Sequence, residues 1–225
     1  MEIHFVLQSL GVSSGGQTLA EVGETRLDSN SHTSASGLML GNGEFSAQRL
    51  LLKDSESGEQ VVMSGLALDL ESSEVSEQVS AAASYRLQSI EVAGEIYGPG
   101  LLRIEMSRLS GPVLVRLQQA MTEIKEQAMS DEQRGMALLG VVMNIGTDLL
   151  KSDPAIAIKP FQLVTPDGTV EGEISLRGDG LSLADLSNIQ LLAGKLAADL
   201  SLRMPETLFR SMLIHQTRLK LEQQI

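Results

Sequence analysis

The chain has no cysteine and no tryptophan, and aromatic residues make up only 3% of its 225 residues. The lack of cysteine excludes disulfides, thiol nucleophiles and cysteine-ligated zinc sites from this sequence. Aromatic rings are the usual anchors of ligand pockets and interface hot spots, so few such anchors exist here. Leu, Ile, Val, Ala and the ten Met residues must therefore supply the apolar surface that the fold buries.

Basic residues are also scarce, since 17 Lys and Arg stand against 29 Asp and Glu for a formal net charge of −12. The acidic residues are spread along the chain, and the Lys and Arg residues form no cluster. A nucleic acid requires a basic surface strong enough to overcome such a negative field. The sequence therefore predicts no nucleic-acid partner, and anionic membrane surfaces are disfavoured for the same reason.

Long apolar runs are missing as well, because no run approaches the roughly 18 residues that a membrane span needs. The first residues already have the pattern of a strand, with Ile3, Phe5 and Leu7 on one side. The last residues, 219–225, continue a helical pattern without the Gly or Asn that commonly closes a helix. We therefore expect a piece of a longer protein, with any membrane anchor outside this sequence.

Alternation of apolar and polar residues dominates the first half of the chain. The segments 62–70 and 102–107 place apolar residues on one side and polar residues on the other, and turn signals such as Gly41-Asn42-Gly43 separate the runs. This alternation is typical of an antiparallel sheet with one buried face and one solvated face. We predict that residues 1–110 form a β-rich half.

Two helical patterns follow in residues 111–153. Pro112 is suited to the first turn of a helix, where its missing N–H has no intrahelical partner to lose. Ser130, followed by Gln133, matches a capping box that begins a second helix. We predict a helical hairpin whose second helix buries Met136, Leu139, Val142 and Met143.

The segment 154–225 returns to alternation and ends in a third helix. A hairpin is predicted around Thr165-Pro166-Asp167-Gly168, a strand over Leu192–Met204, and a helix from Pro205 onward. The predicted fold class is thus α+β, with long antiparallel strands packed against three amphipathic helices. We expect the three segments to form one continuous domain.

Catalytic and metal-binding motifs do not occur in the sequence. His4, His32 and His215 share no ligand spacing, and no serine lies in a nucleophile elbow. Glu171 and Glu173 are two positions apart, so their carboxylates lie on the same side of a strand, as on an ordinary solvated face. The sequence predicts a non-enzymatic protein with no catalytic residue, metal or cofactor, and a carboxylate-dependent hydrolase is the remote alternative.

The apolar residues of the last strand and helix are open to two interpretations. They are core residues, or they line a groove between sheet and helices that binds a lipid or another apolar ligand, since apolar strand faces exceed what three helices cover. The candidate groove residues are Leu196, Leu200, Leu202, Leu208, Phe209 and Met212. A second functional hypothesis is a scaffold that binds another envelope protein or forms a homo-oligomer through exposed strands or the last helix.

Three segments have a distinctive sequence: PFQLVTPDGTVEGEI (160–174), AADLSLRMPETL (197–208) and GEFSAQRL (43–50). They resemble segments of the YdgA-like family of Gram-negative bacterial proteins of unknown function. The resemblance implies a cell-envelope protein with its body in the periplasm, tethered to the inner membrane by an N-terminal anchor. It implies no catalytic residues and leaves the biochemical role undefined.

Overall fold

The computed structural model describes residues 1–14, 17–54, 57–127, 129–186 and 188–210. This part of the chain forms thirteen strands and four α-helices. The strands are β1 (Glu2–Leu7), β2 (Leu10–Ser14), β3 (Gln17–Val22), β4 (Thr25–Thr33), β5 (Met39–Lys53), β6 (Gln60–Val75), β7 (Gln78–Leu87), β8 (Ser89–Val92), β9 (Glu95–Tyr97), β10 (Gly100–Ser110), β11 (Ala155–Thr165), β12 (Gly168–Gly178) and β13 (Leu196–Arg203). The helices are α1 (Gly111–Glu126), α2 (Asp131–Leu150), α3 (Leu183–Leu186) and α4 (Ile189–Lys195), and residues 206–210 are also helical.

All thirteen strands belong to one antiparallel sheet. Nine of them follow in the order β1-β4-β5-β6-β7-β10-β11-β12-β13, while the β2–β3 hairpin joins through β5 and the β8–β9 hairpin through β6. Strand β10 pairs with β7 on one side and with β11 on the other. The hairpin of α1 and α2 is therefore an excursion between two neighbouring strands of the same sheet.

Local chemistry accounts for the clearest elements. The hairpin of β11 and β12 turns between Thr165 and Gly168, where the glycine takes a φ of +126° that other residues rarely adopt. Helix α2 begins with the predicted capping box, since the backbone N–H of Gln133 donates to Ser130 Oγ at 3.3 Å. The Gln133 side chain accepts from the Ser130 backbone N–H at 3.0 Å.

The buried core is small for a chain of this size. Its main cluster is Leu38, Leu40 and Val79, where α1 meets the sheet through Leu114 and Val115. The accessible surface is 15234 Å². A compact protein of 24.1 kDa exposes roughly 10,000 Å². The fold therefore leaves far more surface open than a closed domain does.

The α+β class and the antiparallel sheet are confirmed, with four α-helices in the described residues. Two expectations about individual elements are wrong. The segment 192–195 belongs to α4, so the last strand begins at Leu196. Helix α2 packs along α1 and has no buried residue, and its apolar stripe is exposed, Met136 by 77%. The proposed boundaries at residues 110 and 153 stay a prediction.

Candidate functional site

The pairing register sorts the sheet's side chains onto two faces of opposite chemistry, because directly paired residues lie on the same face. One row of paired positions crosses all nine strands of the main path. From β1 to β13 it consists of Phe5, Leu27, Phe45, Leu68, Tyr85, Leu102, Phe161, Gly172 and Leu202. We call the face that carries this row the apolar face.

Large side chains of the apolar face are open to solvent from one edge of the sheet to the other. Phe5 is 53% exposed on β1, Tyr85 42% on β7 and Leu200 73% on β13. Monomeric proteins rarely leave an apolar surface of this extent uncovered. Helix α1 covers the sheet near Val79, and within the described residues much of the apolar face stays exposed.

A groove of about 580 Å³ indents the apolar face between β4 and β10. Small residues line much of it, among them Gly43, Ser72, Ala81 and Ala83, and Leu70 and Ile104 are longer apolar side chains of its lining. The floor is lowest where Ser72 pairs with Ala81, because less side chain stands above the backbone there. The volume falls within the range of roughly 300–1,000 Å³ that small-molecule sites occupy.

Gly41 shapes one end of this groove. A Cβ at this position would lie 2.0 Å from the carbonyl oxygen of Asn30, and the residue takes a φ of +155°. Its N–H donates to Ser72 Oγ at 3.0 Å instead of continuing a regular ladder. The close approach of β4 and β5 at this point therefore requires glycine.

The opposite face is polar and carries ion pairs between neighbouring strands. Arg103 donates to Glu105 at 2.8 Å, to the Ser84 hydroxyl at 3.0 Å and to Glu71. The hydrogen bonds that Arg103 donates to Glu105 and to Glu71, that to Glu105 first, raise the pKa of the guanidinium above its usual value. Arg86 and Asp69 form a further pair at 2.8 Å. Such a charge ladder is typical of a solvated face.

A second groove of about 580 Å³ lies on this polar face, lined in part by His32, Glu71, Arg103 and Glu105. A carboxylate-dependent hydrolase needs one carboxyl group that is free to donate a proton. Here the guanidinium of Arg103 donates hydrogen bonds to the carboxylates of both Glu71 and Glu105. Within the ranges that the structure describes, no three His, Asp or Glu side chains converge as a metal site requires.

The structure places Leu196, Leu200 and Leu202 on the apolar face of β13, opposite Gly178, Ile174 and Gly172 of β12. Leu208 is half-buried and Phe209 exposed in the helical residues 206–210, and Met212 lies outside the described residues. None of the five described candidates borders the groove between β4 and β10. Their role as a groove stays a prediction.

The groove residues could not be identified along the sequence, because Gly43, Leu70, Ala83 and Ile104 come from four different strands and meet only through the register. The signal for them was the set of small residues at alternating positions within otherwise apolar strands.

Among the described helices, none is long and apolar enough to cross a membrane.

No curated protein and no solved structure matches the chain. The model of the family described as "Bacterial protein of unknown function (DUF945)" matches residues 1–224. Because this match spans almost the whole sequence, the chain belongs to that family of bacterial proteins of unknown function.

Proposed function

We propose that this protein is a non-enzymatic module of the bacterial cell envelope that binds the acyl chains of a lipid on the apolar face of its sheet. One observation carries the proposal: a row of apolar side chains crosses nine strands, and no described helix covers most of it. Removing apolar surface from water is favourable by about 25 cal/mol per Å². An extended acyl chain satisfies such a surface without needing any polar partner.

The groove between β4 and β10 is the best place on this face for the ligand. Its border contains Met39 and Met106, whose flexible thioether side chains adapt to a ligand of variable shape. Ala81 and Ala83 keep the floor low enough for a chain to lie against the backbone. Charged side chains project mainly from the other face, where Arg103 and its carboxylates lie.

The non-enzymatic part of the proposal is supported by the polar face. The carboxylates that border its groove, Glu71 and Glu105, are engaged by Arg103, and the ion pair of Arg86 with Asp69 continues the same pattern. A network of this kind stabilises a solvated sheet face and supplies no free acid for catalysis.

The periplasmic location in this proposal rests on the resemblance of residues 160–174 and 197–208 to the YdgA-like family. A protein exposed in the periplasm becomes sensitive to added protease once the outer membrane is opened. We expect the full-length gene product to be digested in spheroplasts before lysis, while a cytoplasmic marker survives. Protection until lysis would contradict the location.

Neighbouring alanines provide a matched test of lipid binding. Ala83 lies on the apolar face opposite Leu70 and Ile104, whereas Ala82 lies on the polar face opposite Glu71 and Glu105. We expect Ala83→Gln to weaken binding of a fluorescently labelled long-chain fatty acid by about tenfold, because an amide on the groove floor loses its water. Ala82→Gln adds the same side chain to the polar face and should bind like the unmodified protein.

Two further measurements make this test decisive. Thermal melts of both variants show whether Ala83→Gln still folds, so that a loss of binding is assigned to the groove. Solvent extraction of the purified protein followed by mass spectrometry should recover an amphiphile. Equal fatty-acid affinity in the two variants, with no extracted amphiphile, would rule out lipid binding on this face.

A further inference from the structure

Strand β13 is the outermost strand at one edge of the sheet. On its inner side all eight residues, Leu196–Arg203, pair with β12 without a register shift. On its outer side, no strand of the described ranges pairs with it. An unpaired strand presents a row of backbone N–H and C=O groups that can pair with a further strand.

Proteins usually protect such an edge, and β13 lacks several of the common protections. Its sequence, LAADLSLR, contains no proline, no glycine and no lysine, and its pairing with β12 has no bulge. Leu200 and Leu202, on its apolar face, are 73% and 57% exposed. The edge is therefore regular, apolar on one face and accessible.

The polar face of β13 has two opposite charges placed symmetrically about a serine. Asp199 and Arg203 lie two positions before and after Ser201, and the three side chains share one face. Arg203 is 86% exposed in its side chain and approaches Glu171 only to 3.6 Å. Asp199 accepts a hydrogen bond from the Ser175 hydroxyl at 3.3 Å. Both charges remain available to an incoming strand.

We infer that a second copy of this chain pairs through the same edge, β13 against β13, in an antiparallel register centred on Ser201. In this register Asp199 of each copy lies opposite Arg203 of the other, so two ion pairs form. Leu200 of each copy lies opposite Leu202 of the other on the apolar face. The contact is self-complementary, as a two-fold symmetric interface must be.

Charge selects this register over its neighbours. Registers that set the apolar face of one copy on the same side as the polar face of the other are excluded, because they would place leucines opposite charged residues. A register centred on Asp199 sets two like charges directly opposite each other, which is destabilising. A register centred on Leu200 places Arg203 opposite Ala197 and forms no ion pair. At the other edge, β1 has no arginine or lysine to pair with Glu2.

The pairing extends the sheet and leaves both apolar faces on the same side, because the two-fold axis is perpendicular to the sheet. The dimer thus presents one apolar surface of twice the width. This inference goes beyond the proposed function and does not depend on lipid binding. It identifies the edge of β13 as an interaction surface and a second copy as its partner.

Cross-linking tests the register directly, because the chain has no cysteine of its own. Two Ser201 residues directly opposite each other bring their Cβ atoms to about 4.5–5.5 Å. We therefore expect Ser201→Cys to form a disulfide-linked dimer under mild oxidation. Ala197→Cys is the matched control on the same strand and face. In the inferred register its two copies are roughly 26 Å apart, at about 3.3 Å per residue, so it should not cross-link.

Charge exchange provides the second test. In sedimentation experiments over a concentration series, Asp199→Arg and Arg203→Asp should each weaken dimerisation by about tenfold, because each places like charges opposite. The double variant D199R/R203D restores the ion pairs and should restore the dimer. A protein that is monomeric throughout the series would overturn the inference. A dimer that forms equally well in the charge variants and does not cross-link through position 201 would also overturn the inference. It would instead indicate contact between apolar faces.

Discussion

At the scale of single residues, one carboxylate oxygen of Asp185 accepts three hydrogen bonds within the connection between β12 and β13. Its Oδ2 accepts from the Ser182 hydroxyl at 2.6 Å, from the Ser182 backbone N–H at 2.7 Å and from the Lys195 ammonium at 2.9 Å. The residue is only 5% exposed. These bonds, that of the Ser182 hydroxyl first, lower the pKa of Asp185 to about 2. Because Lys195 ends α4, Asp185 helps to fix where the edge strand begins.

Replacing Asp185 should therefore make stability depend on pH in a defined window. The folded pKa of about 2 lies below the unfolded value of about 4. The stabilisation is thus complete above pH 4 and is lost as the pH falls towards 2. We expect Asp185→Asn to melt a few degrees lower than the unmodified protein at pH 7, and this gap to shrink at pH 2.

The exposed Asp179, in the same connection, provides the control for this measurement. Asp179→Asn should leave the melting temperature unchanged at both pH values. A gap for Asp185→Asn that stays constant down to pH 2 would show that the carboxylate contributes through packing and not through its charge.

At the scale of elements, the sequence predicts those that short-range chemistry determines. The turn at Thr165–Gly168 and the cap at Ser130 depend on residues a few positions apart, and both are present. The sequence predicts a strand over 192–195, because the alternation of β13 continues backward along the chain into this segment. The structure has Asn188 at this point as a helix cap, with its Oδ1 accepting from the N–H groups of Gln190 and Leu191.

The sequence alone does not show which surface packs against the apolar side of each helix or strand. An amphipathic pattern shows that a helix such as α2 has an apolar stripe, but not which surface it faces. The sequence predicts that Met136, Leu139, Val142 and Met143 lie in a core, but these residues are exposed, and α2 packs along α1. The groove was equally hidden, since its floor and borders come from different strands. Alternation identified the apolar sides of single strands, and only the register joins them into one face.

At the scale of the whole molecule, the open sheet changes how much surface folding removes from water. An unfolded chain of 24.1 kDa exposes roughly 35,000 Å², and a compact fold retains roughly 10,000 Å². This fold retains 15234 Å². It therefore buries about a fifth less surface than a compact domain of the same mass, and the apolar face accounts for part of the difference.

The heat capacity change of unfolding should be lower because of this open face. It scales with the surface exposed on unfolding, and a compact chain of 225 residues gives roughly 3 kcal/mol/K. We expect a value about a fifth lower for the purified protein stripped of lipid, measured by calorimetry at a low concentration where copies do not associate. The slope of denaturant unfolding should fall in the same proportion, because it depends on the same surface. A variant such as Ala82→Gln, on the polar face, should keep the reduced value. A heat capacity at the full compact value would mean that the apolar face is already buried in the isolated chain, and would remove the basis for a ligand there.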